Sequence, residues 1–262
     1  MIVNAAENWS WNWEHELRSL GYDVCTYTPP QRNLADMQSD AKRIVAAVQY
    51  MYEAGGRKKV DIVAQSTGGL VTRWAVKYWP SIDEKINHVV LLGTENHGTE
   101  LAATICNSAR RGLCPPSAWQ IIPGSEFLKT LNTPDETPGN IQYTVIYSDS
   151  DELAIPKNTP LLDGAVNFHV QTLCPDRYVG NLTMEVDAVV WNVGVSALES
   201  PTPIDPGSFS KSLCSQVLMP GISPAQVIPL TEGANVVRDL AFAFALGGIV
   251  DQEPPIHACA KP

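Results

Sequence analysis

Apolar positions along this chain alternate between two rhythms, a period near 3.6 residues and short unbroken runs, and the two take turns. Trp13, Leu17 and Leu20 share one face of a predicted first helix that Gly21 closes. Asp23 to Tyr27 reads as a strand ended by Pro29 and Pro30. From Asp36 to Ala54 a stripe of Ile44, Val45, Val48, Met51 and Tyr52 predicts a helix, stopped by Gly55 and Gly56. Val60 to Val63 begins a strand, and the periodic set Leu70, Val71, Trp74 and Val76 predicts a helix directly behind it. Ile86–Leu92, Ile141–Tyr147 and Ala165–Leu173 read as further strands. Met184–Leu198 and a long, glycine-interrupted Pro224–Val250 read as helices. Strands that alternate with helices predict an α/β fold, a mostly parallel sheet covered on both faces, with ligands at the carboxyl ends of its strands.

The turn between Val63 and Leu70 carries the chemistry. Ala64-Gln65-Ser66-Thr67-Gly68-Gly69 joins strand to helix with a serine at its apex, the context that a G-x-S-x-G nucleophile elbow requires. Ala64 stands where that motif has its first glycine, and Gly68 supplies the second. Small residues on both sides of the serine let the two backbones approach, so that Ser66 Oγ stands at the carboxyl edge of the sheet.

Composition narrows the picture. At 262 residues, 44% hydrophobic and 18% charged, the chain is long enough to bury a substantial core as one domain spanning 1–262. A formal net charge of −10 and the lack of a basic run argue against a nucleic-acid partner. No stretch reaches the roughly 18 uninterrupted apolar residues of a membrane-spanning helix. Neither H-x-x-x-H nor C-x-x-C spacing occurs, and there is no glycine-rich phosphate loop, so no metal and no cofactor is expected. The first residues lack the basic-then-apolar pattern of a signal peptide. Six cysteines and two N-x-S/T sequons, at Asn8 and Asn181, nevertheless suggest a secreted, glycosylated ancestry.

A serine nucleophile needs a base to take its proton and an acid to orient that base. In α/β-hydrolases the chain order is Ser, then Asp or Glu, then His. Asp151 lies just past the strand Ile141–Tyr147, where the acid belongs, with Asp149 and Glu152 as rivals in the same loop. The loop after the last predicted strand, residues 174–184, contains no histidine, and beyond it only His257 remains. Of the others, His169 reads as packed within or edging the last strand, His97 as a pocket wall, and His15 and His88 as surface residues.

The chain resembles the Candida antarctica lipase B-like family of fungal lipases, members of the α/β-hydrolase superfamily. The resemblance runs through Asn12–Pro30, the elbow from Ala64 to Tyr78, Trp79–Leu92, Ser117–Leu128, Tyr147–Pro156 and Val193–Leu198, in order and spacing. It implies Ser66 as nucleophile, Asp151 as triad acid, and the Thr67 backbone N–H as part of the oxyanion hole. It places Glu95, Thr99, Ile121, Leu153 and Ala154 in the acyl and alcohol pockets, and Cys174 with Cys214 in a disulfide. Cys106 and Cys114, close in sequence, could form a local bridge of their own. Cys25 and Cys259 are left over, either as free thiols or as a pair.

Two departures qualify what the resemblance implies. The position of the triad histidine falls on Asn181, whose amide has no basic nitrogen near neutral pH. Removing one triad member usually costs several orders of magnitude in kcat, and leaves roughly 10³ to 10⁴ over water. The bland alternative for Asn181 is a glycosylated or solvent-facing loop residue. Second, the family has a strand and oxyanion loop ahead of the first helix, and Met1 aligns inside that loop. An amino-terminally trimmed fold is therefore expected, unless Asp23–Tyr27 pairs directly with Val60–Ala64.

These observations imply a lipase-like serine hydrolase of hydrophobic esters, weakened or altered by loss of its base. The alternative is a degenerate relative that binds or transforms a hydrophobic small molecule, as a cyclase or isomerase would. A monomer is expected, with the segment 224–262 packing over the pocket side and Ala234–Val250 as a lipid-facing rim.

Overall fold

The computed structural model describes residues 8–108, 114–231 and 248–260. In chain order they form α1 (Trp13–Ser19), α2 (Met37–Ala54), β1 (Val60–Gln65), α3 (Thr67–Tyr78), β2 (Ile86–Leu92) and α4 (Glu100–Ser108). There follow α5 (Pro116–Gln120), α6 (Glu126–Asn132), β3 (Gln142–Tyr147), β4 (Val166–His169), α7 (Val170–Leu173), α8 (Ala188–Glu199) and α9 (Pro224–Thr231). The strands lie in the order β1-β2-β3-β4, and every pair is parallel.

Alternation along β2 explains why its sequence is almost wholly apolar. Val89 and Leu91 face one core with Val71 and Trp74 of α3, Val48 of α2 and Phe127 of α6. Val90 and Leu92 face the other with Trp13 of α1 and Val189, Val190 and Val193 of α8. A strand buried on both sides carries no polar face. The second core closes tightly. Trp13 meets Trp191 edge-on at 4.8 Å, and a Cβ on Gly194 would lie 2.5 Å from the Trp13 ring.

Several boundaries differ from the sequence expectation, each for a local reason. Asp23–Tyr27 forms no strand. Its polar groups turn instead to side chains of α1: Arg18 donates to the Val24 carbonyl at 2.6 Å, and Thr26 donates to Glu14. Leu20 caps α1 and is 51% exposed rather than buried with Trp13 and Leu17. The run Ala165–Leu173 stops being a strand at His169, and Val170 and Leu173, three residues apart and both buried, belong to a helical turn. Met184–Leu198 is two elements, because Asp187 accepts from the N–H groups of Val189 (2.8 Å) and Val190 (3.1 Å) and caps α8 there. The predicted helix Pro224–Val250 is helical to Thr231, while Val250 pairs with Cys114 as an isolated bridge. Residues 232–247, with most of the proposed lipid-facing rim, lie outside the described residues, as does the side chain of Cys259. Among the described residues β1 forms one edge of the sheet.

The tail at 248–260 packs against α2 and α6. Gln38 donates to the Pro255 carbonyl, the His257 N–H donates to Gln38, and Glu253 accepts from the N–H groups of Glu126 and Phe127. Two disulfides are present, Cys106–Cys114 and Cys174–Cys214, each with Cα atoms 5.5 Å apart. Cys25 is a free, exposed thiol.

His88, expected at the surface, is 3% exposed. Its Nδ1 lies 2.7 Å from Asp61 and its Nε2 2.9 Å from the Ser200 carbonyl, so β2 is tied to β1 and to the end of α8. Burial opposes its charge, but the Asp61 carboxylate and the Ser200 carbonyl prevail and raise its pKa above 6.5. A folded pKa above the unfolded one stabilises the fold fully below the unfolded value, and the gain fades as pH rises through the folded value. His88→Gln should therefore remove stability at pH 5.5 and progressively less above pH 6.5. Urea midpoints measured across that range check the difference.

Candidate active site

Ser66 sits where β1 hands over to α3, with φ +50° and ψ −135°. That conformation costs a non-glycine residue on the order of 1–3 kcal/mol, and only a packed surround sustains it. The surround is visible. The Ser66 N–H donates to the Leu92 carbonyl at 2.9 Å, which pins the turn to the end of β2. Ala64 and Gly68 flank it as expected, yet a Cβ on Gly68 would meet Ala64 only at an ordinary 4.0 Å. The tight approach is at Gly69, where a Cβ would press on Thr94 and lie 3.0 Å from Leu91. The second glycine of the pair is thus the one that lets α3 close on β2.

Four of the expected residues converge at the carboxyl end of β1, β2 and β3, and they form two hydrogen-bonded pairs. Ser66 Oγ donates to Glu95, 3.1 Å from Oε1 and 3.3 Å from Oε2. Asn181 Nδ2 donates to Asp151 Oδ2 at 2.9 Å and to the Gly93 carbonyl at 3.2 Å. Asn181 thus meets Asp151 as an imidazole N–H would, but it brings no basic nitrogen. It is 1% exposed, and neither it nor Asn8, whose amide donates to Glu185 at 2.6 Å, presents a solvent-facing glycosylation site.

Of the rival acids, Glu152 accepts the Asn181 N–H at 3.0 Å, and Asp149 pairs with His169 at 3.1 Å. The five histidines of the chain all bond elsewhere: His15 to Glu16, His88 to Asp61, His97 to Glu136, His169 to Asp149 and His257 to Asp36. His97 is exposed and engaged with Glu136 rather than lining a pocket beside Ser66.

Glu95, 2% exposed, and Asp151, fully buried, share this small volume. Burial, and then the Asp151 charge, raise the Glu95 pKa to about 7 against the pull of its own backbone N–H and the Ser66 hydroxyl. Asp151 is also raised by burial, held back by the Asn181 amide and by the N–H groups of Leu153 (2.8 Å) and Ala154 (3.1 Å). Asp151 Oδ1 thereby pins the segment that carries two of the expected pocket residues. Thr99 joins it, donating its hydroxyl to the Leu153 carbonyl at 2.6 Å and its N–H to the Ile121 carbonyl at 2.8 Å. Thr67 opens α3 beside Ser66, at the end of a helix where backbone N–H groups point outward.

Three residues of the site carried no sequence signal as site residues. Gln65 donates to the Asn181 carbonyl at 2.5 Å, so the residue before Ser66 holds the Asn181 loop. Gly93, at φ +52°, leaves room for Asp151 and Asn181. Arg73 of α3, fully buried, donates to Asn96 (3.1 Å), Asn132 (2.8 Å) and the Glu136 carbonyl, and so locks the loop bearing Glu95 onto the elbow helix. Among the described residues, Asn181 Oδ1, Gln65 Oε1 and Thr94 Oγ1 are buried here without a hydrogen-bond partner, which marks a polar interior able to receive further hydrogen bonds. Two surface clefts lie away from Ser66, one of about 490 Å³ beside His169 and Arg177 and one of about 360 Å³ beside Glu126 and Glu253.

Residues 12–163, more than half of the chain, match the family of class 2 lipases. The chain belongs to that family. This class 2 lipase family member is 28% identical to lipase B of Pseudozyma antarctica, over 96% of this chain and 74% of that protein. Its fold is similar to that of Aspergillus fumigatus lipase B, with a TM-score of 0.86 and 26% identity across 99% of this chain. It spans 65% of the length of that Aspergillus chain. A mature Bacillus licheniformis lipase shares the fold at a TM-score of 0.52 and 20% identity, over 64% of this chain and 78% of its own. The α/β-hydrolase fold that the family resemblance implied, a parallel sheet with helices, is the fold of this chain.

Gly93→Ala should disturb the site more than its size suggests. The added methyl would lie 2.7 Å from Asp151 Oδ2, 2.8 Å from Asn181 Nδ2 and 2.9 Å from the Met184 sulfur, at a φ that suits glycine. A loss of roughly 1–3 kcal/mol is expected, measurable as a fall in denaturation midpoint. Gly68→Ala, meeting only Ala64 at 4.0 Å, should cost distinctly less.

Proposed function

We infer that the chain is a lipase-like carboxylic-ester hydrolase that acts on hydrophobic esters through Ser66, with turnover altered because Asn181 takes the place of the triad base. The observation that carries this is the strained Ser66 at the carboxyl edge of the sheet, its hydroxyl bonded to a carboxylate. Relatives named as lipases support a hydrophobic ester as substrate. In this reading Ser66 is the nucleophile and the Thr67 N–H stabilises the oxyanion. Asp151 is the triad acid, its usual histidine partner replaced by the Asn181 amide. Thr99, Ile121, Leu153 and Ala154 line the acyl and alcohol sides, and Glu95 stands where the pocket meets the nucleophile. The two disulfides suit an oxidising, secretory setting.

The Asn181–Asp151 bond also favours a second reading. A carboxylate satisfied by an amide no longer serves to charge-balance an imidazolium, so the scaffold would bind, isomerise or cyclise an apolar molecule without an acyl-enzyme.

Hydrolysis of a short-chain p-nitrophenyl ester separates the two. The wild type should turn over measurably and Ser66→Ala should fall to background. Asn181→His, which returns a basic nitrogen to Asp151, should raise kcat by tenfold or more. A wild type no faster than Ser66→Ala would sink the hydrolase reading and leave the second.

A further inference from the structure

We propose that Glu95 is the general base of this site, forming a Ser66–Glu95 dyad that works in place of the Ser–His–acid triad. The proposal rests on Ser66 as nucleophile and goes beyond it, because it names the group that takes the serine proton.

Geometry comes first. A general base must lie within hydrogen-bond reach of the proton it removes. Both oxygens of Glu95 meet that condition, at 3.1 and 3.3 Å from Ser66 Oγ. All five histidines are engaged elsewhere. Asp151 is occupied by Asn181 Nδ2 and by the N–H groups of Leu153 and Ala154. Glu95 is held in place by its own loop. Next to it Asn96 accepts from Arg73 and donates to the Pro160 carbonyl at 2.7 Å, while the Gly98 N–H closes back on the Glu95 carbonyl at 2.9 Å.

Electrostatics supports the same role. Carboxylates are ordinarily too weak as bases to activate a serine, but burial and the facing Asp151 raise Glu95 to about 7, near the value that suits a general base at neutral pH. Further out stand Glu152, which accepts the Asn181 N–H, Glu185, bonded to Asn8, and Arg73, bonded to Asn96.

The step balances without any group that the site lacks. The Ser66 oxygen bonds to the ester carbonyl carbon as its proton passes to ionised Glu95, and the carbonyl π pair moves to oxygen. Collapse of the tetrahedral intermediate breaks the carbon–alkoxy bond, and the leaving alcohol takes the proton from neutral Glu95. Water then attacks the acyl-serine, giving a proton to Glu95. The second collapse releases the acid as Ser66 regains that proton.

The test uses the full chain and a p-nitrophenyl ester, with kcat/KM measured from pH 5 to 9. The wild-type profile should rise through a midpoint near 7. Asp151→Asn removes the charge that opposes ionisation of Glu95, so its midpoint should move to lower pH. Glu95→Gln should lose about 10²-fold or more of kcat/KM, while its thermal midpoint at pH 8 holds or rises, because a buried carboxyl that must ionise is gone. Glu95→Ala keeps the test open should the Gln variant fail to fold. Added formate should restore part of its activity and none to Ser66→Ala, a rescue that a purely structural role would not show. A Glu95→Gln enzyme within threefold of wild type, with Ser66→Ala at background, overturns the dyad and leaves Ser66 as nucleophile. Equal rates for wild type and Ser66→Ala overturn the nucleophile itself, and the dyad with it. Lack of formate rescue in a folded Glu95→Ala protein also counts against the dyad.

Discussion

Two carboxyl groups buried side by side at the end of a parallel sheet set the terms for everything around them. Glu95 is 2% exposed and Asp151 fully buried, and like charges so placed resist ionising together. Each needs donors, and the donors present are unequal. Asp151 takes an amide and two backbone N–H groups, which favour its charge. Glu95 takes its own backbone N–H and the hydroxyl of Ser66. The more strongly satisfied group keeps its charge more readily and thereby makes its neighbour the better base. An imidazole at position 181 would divide this arrangement differently. It would bridge acid and serine, whereas the asparagine stops at the acid.

The fold supplies rigidity at the points this chemistry needs. The Ser66 N–H is bonded to the last carbonyl of β2, the same strand that runs on into the loop bearing Gly93 and Glu95. Ser66 and Glu95 are thus separated by a pair of adjacent strands and little else. Arg73, about two helical turns past Ser66, then bonds to Asn96 and ties α3 to the loop bearing Glu95. Burial lowers its pKa to about 10, with Glu136 opposing, so it stays charged at neutral pH. A charged fork with three partners is a strong local clamp.

Much of this was legible along the chain because the signals were local. The elbow, β2 and the helix behind Asp36 announce themselves through apolar runs and stripes and paired glycines. The loop bearing Asp151 follows from its place after a strand, with Asp149 and Glu152 as rivals that only the family resemblance sets aside. What escaped depends on side-chain hydrogen bonds that the apolar pattern does not encode. His88 looked like a surface residue, yet the sheet brings Asp61 and Ser200 to both of its ring nitrogens. Asp23–Tyr27 has the composition of a strand, but α1 satisfies its polar groups first. The split of the helix before α8 hinges on the Asp187 side chain, which also accepts from Arg177 at 2.7 Å. The bond between Ser66 and Glu95 joins two loops 29 residues apart, and only the register of β1 on β2 brings them together.

In the proposed dyad Glu95 is the group that must ionise to activate Ser66. Covalent labelling by a serine-directed phosphonate, followed by mass spectrometry as a function of pH, asks this without depending on substrate choice. The adduct is expected on Ser66, with a rate that rises through a midpoint near pH 7. Labelling of Ser66 that is independent of pH between 5 and 9, or modification at another residue, would contradict it.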